Sequence, residues 1–214
     1  MCFFPNDINY QGPAPVINPA PQLPRGPRSQ VTRLLNRGLL TQGEANELYA
    51  MSMTQLEADI LNRIAAFDGN GLESIFHRIQ IWGGSTGRYI YVRAPFAWDQ
   101  VAPQYLLLLQ ACLDIQEITH NSLLDLRESI IHFDANVDNI GLSFITKHTR
   151  FWLHRSLGEN ALPIYDSRMA EHVMHQRYVR AVDLVHYWEA MSQKAIDENI
   201  SLDQLERHLF VYWG

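Results

Sequence analysis

Apolar residues recur at helical spacing along most of the chain. The pattern predicts helices over residues 29–38, 41–67 (one long helix or a broken pair), 72–81, 101–118, 122–133, 140–158, 167–194 and 201–211. Capping signals open three of them, at Thr41-Gln42-Gly43-Glu44, Asn121 and Ser201-Leu202-Asp203-Gln204. An extended segment is favoured only at residues 88–93, an aromatic and β-branched run. The sequence therefore predicts an all-α fold with at most one short extended segment.

The first 28 residues differ from the rest in composition. They hold seven of the ten prolines, so a regular helix is not expected there. Apolar side chains such as Phe3, Phe4 and Tyr10 favour packing against folded protein over free disorder. We therefore divide the chain into a proline-rich extended arm, residues 1–28, and a helical domain, residues 29–214, with one or two lobes around a cleft. The arm is a candidate docking segment, on this domain or on a protein partner.

Composition and charge narrow the class of protein. The chain has 47% hydrophobic residues, no apolar run long enough to span a membrane, and no signal-peptide pattern at its start, so we expect a cytoplasmic location. Two cysteines, Cys2 and Cys112, are too few for a disulfide framework or an iron–sulfur cluster, and no cofactor is expected. The net charge of −6 argues against a protein that coats DNA nonspecifically.

Charge is nevertheless uneven along the chain. Residues 147–180 contain six basic and three acidic residues, which gives a local charge of +3 and leaves −9 for the remainder. A basic segment of this kind favours local binding of a polyanionic substrate. His172 and His175 lie three residues apart within it, but no third ligand matches their register, so we predict phosphate contact or surface exposure for them, and no metal site.

Lys147 occupies a position where an apolar residue would be expected. It falls with Ile140, Phe144 and Phe151 on one helical stripe. Burial disfavours the charged ammonium form, lowers the pKa of a lysine and so increases its nucleophilic fraction. The alternative is a solvated lysine whose stem lies over apolar surface.

Asp166 follows Lys147 by nineteen residues and precedes a new periodic run, where an N-cap is expected. Two helices joined by a short connection would bring the two side chains together. An amine and a carboxylate that face one cleft suit attack on an electron-poor carbon, such as C1′ of a nucleoside. The alternative is that Asp166 is only a helix cap.

The segment Ile140-Gly141-Leu142-Ser143-Phe144-Ile145-Thr146-Lys147, followed by Pro163-Ile164-Tyr165-Asp166, resembles the helix-hairpin-helix DNA glycosylases, most closely the bacterial branch with the 8-oxoguanine glycosylase fold. The loop Ile81-Trp82-Gly83-Gly84-Ser85-Thr86-Gly87-Arg88 and the C-terminal residues 200–214 are similar to the same branch, so the resemblance spans roughly residues 70–214. It implies that Lys147 attacks the sugar and that Asp166 assists. The hairpin departs from the family in one respect, because Ser143 stands where a second glycine usually follows Gly141.

The resemblance implies a DNA glycosylase that excises a modified or oxidised purine such as 8-oxoguanine, with associated lyase chemistry, whereas the residues themselves indicate only an activatable amine beside a carboxylate. The target base would be flipped out of the stack into a pocket. The negative net charge and the hairpin with only one glycine favour an alternative, a glycosylase of antiviral defence that acts on nucleotides, RNA or phage-modified bases. Two further alternatives are a non-catalytic helical module that binds nucleic acid or protein, and a nucleophilic Cys2, which Met1 disfavours by covering its α-amine.

Substrate contacts are predicted in two places. The turn with Gly141, Ser143 and Thr146 offers backbone N–H groups at a helix start, and His148 and Arg168 flank the candidate pair, so all five are expected to contact phosphate or sugar. The glycine-rich loop, with Trp82, Gly83, Gly84 and Arg88, is expected to line the base pocket, with Trp82 as a stacking surface. The alternative for the loop is a tight turn with Trp82 in the core.

Overall fold

A computed structural model describes residues 2–16, 21–84, 89–92 and 96–213, and in that part of the chain all regular structure is helical. The α-helices are α1 (Arg25–Asn36), α2 (Gln42–Ala50), α3 (Met53–Ala65), α4 (Leu72–Trp82), α5 (Tyr89–Val92), α6 (Trp98–Asp114), α7 (His120–Asn136), α8 (Leu142–Leu157), α9 (Ser167–His172), α10 (Leu184–Glu198) and α11 (Leu202–Tyr212). Short 3₁₀ helices occur at Gly158–Asn160 and Ala181–Asp183. The predicted all-α fold is confirmed. None of the described helices combines the length and the apolar character that crossing a bilayer requires.

Helix α8 lies at the centre of the fold. It packs against α3, α4, α6 and α7, so its residues from Phe144 to Leu153 are buried on every side of the helix. Helix α10 packs against α7, and α11 packs against α10. One buried apolar cluster connects the helices and extends along the chain from Tyr10 to Leu209. The central position of α8 determines which of its polar side chains can reach a surface.

Side-chain caps start five of the described α-helices, α2, α3, α7, α9 and α11. The Thr41 capping box is present, and a second capping box at Ser52 starts α3, so the region 41–67 is a broken pair of helices. Ser201 caps α11 as predicted, since its side chain accepts a hydrogen bond from the backbone of Gln204. The predicted cap at Asn121 is wrong, because Thr119 holds that position with a capping box of its own.

Two element predictions are wrong. Of the segment favoured as extended, residues 89–92 form a helical turn, in which Ile90 and Tyr91 are buried. The helix predicted over 167–194 is two helices, because α9 ends at His172 and α10 begins at Leu184. His175 between them adopts a left-handed φ of 53°, which a continuing helix does not allow.

The proline-rich arm packs onto the domain. Tyr10 and Leu23 are buried, and Gln204 donates hydrogen bonds from its side chain to the carbonyl oxygens of Tyr10 and Gly12. Helix α1 starts at Arg25, inside the segment expected to be non-helical. Prolines at the start of a helix are compatible with this, since the first turn has no intrahelical partner for its N–H groups.

Candidate active site

A cavity of about 330 Å³ brings several predicted site residues together. Those that line it are Trp82, Gly83, Gly84, Ser143, Lys147 and Asp166. They come from the end of α4, the first turns of α8 and the start of α9. Gly141, Thr146, His148 and Arg168 do not line this cavity, and Arg88 lies outside the described residues.

Lys147 is buried in the wall of the cavity, with 9% of its surface exposed. Its ammonium nitrogen donates to the hydroxyl of Ser143 at 3.0 Å and to the carbonyl oxygen of Ser143 at 3.3 Å, and lies 4.7 Å from the ring centroid of Phe144. Burial lowers the pKa of Lys147, and the charges of Asp166 and Glu206 oppose that shift without cancelling it. Among the described residues no carboxylate lies within 4.0 Å of this amine.

The sequence contains one other lysine, Lys194, and its environment differs. Lys194 forms an ion pair of 2.6 Å with Glu198, one turn along the same helix, and lies over the ring of Tyr10. Burial favours the neutral form of the Lys147 amine, and no carboxylate among the described residues pairs with it. The two lysines therefore provide a natural comparison between a paired and an unpaired amine.

Asp166 caps α9, as the sequence predicted. Its Oδ1 accepts hydrogen bonds from the backbone nitrogens of Arg168 at 3.0 Å and Met169 at 3.1 Å. Its Oδ2 has no hydrogen-bond partner in the described part of the chain. One oxygen thus fixes the carboxylate while the other stays available to a ligand or a proton.

The segment that carries Asp166 is anchored by side chains from three helices. Thr146 accepts a hydrogen bond from the backbone nitrogen of Tyr165 at 3.2 Å, and Glu206 accepts one from that of Ile164 at 2.7 Å. Tyr187 donates its hydroxyl to the carbonyl oxygen of Ile164 at 2.9 Å. Buried hydrogen bonds of this kind hold the backbone in one position. Asp166 is thereby fixed relative to α8 although it lies in a connection between helices.

The glycine pair beside Trp82 allows Lys147 to reach its position. A Cβ atom at Gly83 would lie 2.8 Å from Cζ of Phe144 and 3.1 Å from Cδ of Lys147, so the lysine stem packs directly on the glycine. Gly84 adopts a φ of +82°, which side chains other than hydrogen disfavour. Trp82 itself is partly exposed and lines the cavity, where its ring makes an edge contact with Phe151.

A charged cluster forms another part of the wall, and sequence reasoning missed it. Arg150 is bonded to Glu206 at 3.0 Å, lies 3.4 Å from Glu57 and contacts Asp203, while Arg207 bonds Asp203 at 2.7 Å and Glu57 at 2.8 Å. Three carboxylates therefore meet two guanidinium groups. Burial raises the pKa of Glu206, which Arg150 counteracts. No local pattern joins positions so far apart in the chain.

His148 lies in the core, so the predicted phosphate contact is wrong. It is 1% exposed, its Nδ1 lies 2.7 Å from the hydroxyl of Tyr105, and its Nε2 lies 3.0 Å from the side-chain nitrogen of Gln80. Burial lowers the pKa of His148 to about 3, so the ring is neutral at ordinary pH. Thr146 is likewise fully buried and holds Tyr165, which excludes contact of its side chain with a phosphate.

The basic segment at 147–180 does not form one basic surface. Lys147 and Arg150 are buried, and Arg180 pairs with Asp183 at 2.7 Å, just beyond the segment. The guanidinium of Arg168 donates to the carbonyl oxygen of Phe210 at 3.2 Å and lies 4.4 Å from the centroid of that ring. Arg150 is thus matched by carboxylates that the fold brings in from elsewhere and Arg180 by one three residues away, so the excess of positive charge along the sequence does not form one exposed patch.

His172 and His175 contact aromatic rings. His172 stacks on Trp213 at 4.9 Å between centroids, and His175 lies 5.7 Å from Phe3. In the described part of the chain, no three His, Cys, Asp or Glu side chains are grouped so that they would hold a metal ion.

No protein-family model, curated protein or solved structure matches the chain. The central feature of the site is the amine of Lys147, which has no carboxylate partner among the described residues and lies in the same cavity wall as the carboxylate of Asp166. A buried amine with a lowered pKa is typical of lysines that attack carbon.

Proposed function

We propose that the protein is a glycosylase of the helix-hairpin-helix type that releases a base from a nucleoside unit, with Lys147 as the nucleophile and Asp166 as the assisting carboxylate. The observation that carries the proposal is the burial of Lys147 in a cavity wall, with a lowered pKa and Asp166 in the same wall. The resemblance of residues 140–147 and 163–166 to that superfamily points to the same pair. Modified or oxidised purines, such as 8-oxoguanine, are the proposed substrates.

The chemistry follows from the two groups. The neutral amine of Lys147 attacks C1′, the glycosidic bond breaks, and the base leaves with the bonding electrons and takes up a proton. The available Oδ2 of Asp166 accepts a proton from the attacking amine or stabilises positive charge on the sugar. Opening of the sugar ring then gives a protonated Schiff base with Lys147, and that species permits strand scission.

The cavity suits a single base. Its volume of about 330 Å³ is at the lower end of the range for small-molecule sites, about 300–1,000 Å³. Trp82 and Phe210 both line it, and aromatic rings can stack on a flat heterocycle, although the guanidinium of Arg168 already lies against the ring of Phe210. A base within a duplex would have to be flipped out to enter.

A second candidate is a glycosylase that acts on free nucleotides, RNA or phage-modified bases in antiviral defence. Two observations favour it: the net charge is −6, and the cations of the basic segment are partly buried or paired. Phosphate contacts from exposed cations supply most of the affinity for duplex DNA. A substrate smaller than a duplex needs fewer phosphate contacts of this kind.

The decisive experiment traps the covalent intermediate. The full chain is incubated with borohydride and a panel of substrates: duplex and single-stranded DNA with 8-oxoguanine or an abasic site, RNA, and free nucleotides. Borohydride reduces a Schiff base to a stable amine, so a cross-link is expected through Lys147. Lys147→Gln should abolish it, and Asp166→Asn should slow it by roughly 100-fold with binding largely retained.

Lys194→Gln is the matched control, since Lys194 is the only other lysine of the chain. Its ion pair with Glu198 is partly buried and lies on α10, outside the cavity, so its loss should leave cross-linking unchanged. A Lys147→Gln protein that releases base at the wild-type rate contradicts the mechanism. Binding of nucleic acid without any base release, by wild type and Lys147→Gln alike, would favour a non-catalytic binding module.

A further inference from the structure

One carboxylate oxygen of the charged cluster accepts no hydrogen bond from the described part of the chain. The cluster of Glu57, Asp203 and Glu206 has six carboxylate oxygens, and five of them accept hydrogen bonds from Arg150, Arg207 or the backbone of Ile164. The exception is Oε2 of Glu57, which has no partner among the described residues. Glu57 lines the cavity. The wall therefore presents an anionic acceptor to whatever occupies the cavity.

The neighbouring side chain, that of Arg207, has a hydrogen-bond donor that no described residue accepts. Arg207 donates from Nε to Asp203 at 2.7 Å and from Nη2 to Oε1 of Glu57 at 2.8 Å, which leaves Nη1 without a partner in the described part of the chain. Arg207 also lines the cavity, whereas Asp203 does not. Because Glu57 and Arg207 are bonded to each other, the free acceptor and the free donor sit side by side.

We infer that Glu57 and Arg207 read the edge of the bound base, and that they select a base with an N–H donor next to a carbonyl oxygen, as in guanine and its oxidised forms. This inference rests on the proposed function, which supplies the nucleobase as ligand. The carboxylate accepts the ring N–H in a charge-assisted hydrogen bond, and the guanidinium donates to the adjacent carbonyl oxygen. A base that lacks either group leaves a charged partner unsatisfied and binds more weakly.

The pair is held in place before any ligand arrives. Arg150 binds Glu57 from one side, and Asp203 binds both Arg150 and Arg207 from the other. Side chains that are already fixed lose little conformational freedom on binding, so their hydrogen bonds contribute more to selectivity. The rings of Trp82 and Phe210 contribute affinity for any flat base, and the Glu57–Arg207 pair determines the selectivity between bases.

Calorimetric titration of the full chain with guanosine and 1-methylguanosine tests the inference. Methylation at N1 removes the ring N–H and keeps the ring and its carbonyl. Wild type is expected to bind guanosine at least about tenfold more tightly, a difference of about 1.4 kcal/mol. In Glu57→Gln the amide oxygen remains on Arg150 and Arg207, so the amide nitrogen faces the base and the preference should fall to about twofold or less.

Asp59→Asn is the matched control, because Asp59 is a carboxylate on the same helix as Glu57 that also bonds two arginines, Arg63 and Arg78, and it does not line the cavity. The preference for guanosine should survive in it. A preference lost equally in both variants, no preference in wild type, or no saturable binding of either nucleoside at millimolar concentration each overturns the inference. Circular dichroism checks that the variants fold.

Arg207→Lys tests the other half of the pair and does not depend on whether Glu57→Gln folds. It removes the free Nη1 donor, so it should abolish discrimination between guanosine and 6-thioguanosine, which keeps the ring N–H and carries a weakly accepting thione in place of the carbonyl. Retained discrimination overturns the inference. Failure of the proposed chemistry can be told apart from failure of this inference. If no borohydride adduct forms, the chemistry fails, but wild type and Lys147→Gln can still both prefer guanosine.

Discussion

The hydroxyl oxygen of Thr146 lies 3.2 Å from the backbone nitrogen of Tyr165 and 3.4 Å from its carbonyl oxygen. One side chain of α8 is thus tied to both polar groups of the residue just before the N-cap of α9. Lys147 directly follows Thr146 in the chain, and Asp166 directly follows Tyr165. The contact therefore sets the position of the carboxylate relative to the amine, and it explains why Thr146 belongs to the site although it does not line the cavity.

Thr146→Val is expected to disturb the site with little change of shape. Valine keeps the β-branch but leaves the buried N–H of Tyr165 unsatisfied, which costs about 1–3 kcal/mol of folding free energy. Cross-linking through Lys147 should slow by at least about tenfold, because Asp166 loses its fixed position. Thr146→Ser keeps the hydroxyl and should stay near wild type. Equal adduct rates for the valine and serine variants would contradict the positioning role.

Gly83 is expected to tolerate no side chain. In Gly83→Ala the new methyl group would overlap the ring of Phe144 and press on the stem of Lys147, so one of the two must move. Overpacking of this kind costs about 1–3 kcal/mol, measurable by chemical denaturation. The adduct rate should fall with it, because Lys147, the proposed nucleophile, is one of the two side chains that the methyl group would displace.

Gly43→Ala is the control for that experiment. Gly43 lies in α2, where the nearest atom to an added Cβ is 3.9 Å away and only ordinary contact results. Alanine at a helical glycine with free space stabilises by roughly 0.5–1 kcal/mol. A destabilisation of similar size at both glycines would show that the packing against Lys147 is not what makes Gly83 necessary.

The sequence predicted what depends on local signals. The capping box at Thr41, the cap at Asp166 and the burial of Lys147 all follow from spacing and residue type within a few turns of helix. The helix break after His172 was not predictable in this way, because α9 stops inside a run of helix-compatible residues. Contacts from other parts of the chain decide that boundary, such as the bond from the backbone nitrogen of Phe3 to the carbonyl oxygen of Val173.

The misplaced site residues have a common physical cause. Periodicity distinguishes one face of a helix from the other, but α8 is surrounded by helices, so polar residues such as His148 and Arg150 are buried as well. The partners that make their burial tolerable, among them Tyr105 for His148 and Glu206 for Arg150, come from distant segments. Pairing at such distances in sequence leaves no local pattern, and for that reason the charged wall was missed.

His148 should make folding stability depend on pH in acid. Its pKa is lowered from 6.5 to about 3 by burial, so below pH 6.5 the unfolded chain takes up a proton that the folded chain does not. Its contribution is complete above pH 6.5 and is lost as the pH falls toward 3, with a slope of up to about 1.4 kcal/mol per pH unit. Denaturation of His148→Gln should show a flatter profile over this window, and an unchanged slope would contradict the prediction.

Lys147 should lower the stability of the folded protein. Its pKa is lowered in the folded state, so at neutral pH folding must either bury an ammonium group or release its proton. Lys147→Met has similar volume and no charge, and should raise the free energy of unfolding by roughly 1–2 kcal/mol at pH 7 while it abolishes the adduct.

The pH dependence of the free energy of unfolding distinguishes the cost of burying the Lys147 charge from an effect of side-chain packing. The unfolded chain keeps its proton until the ordinary lysine pKa, so the stability of wild type rises with pH from the lowered folded pKa up to that value. The advantage of Lys147→Met should therefore shrink across the same window, and thermal melting between pH 7 and 10 would measure it. A methionine variant less stable than wild type at pH 7 would mean that the bonds from Lys147 to Ser143 outweigh the burial of its charge.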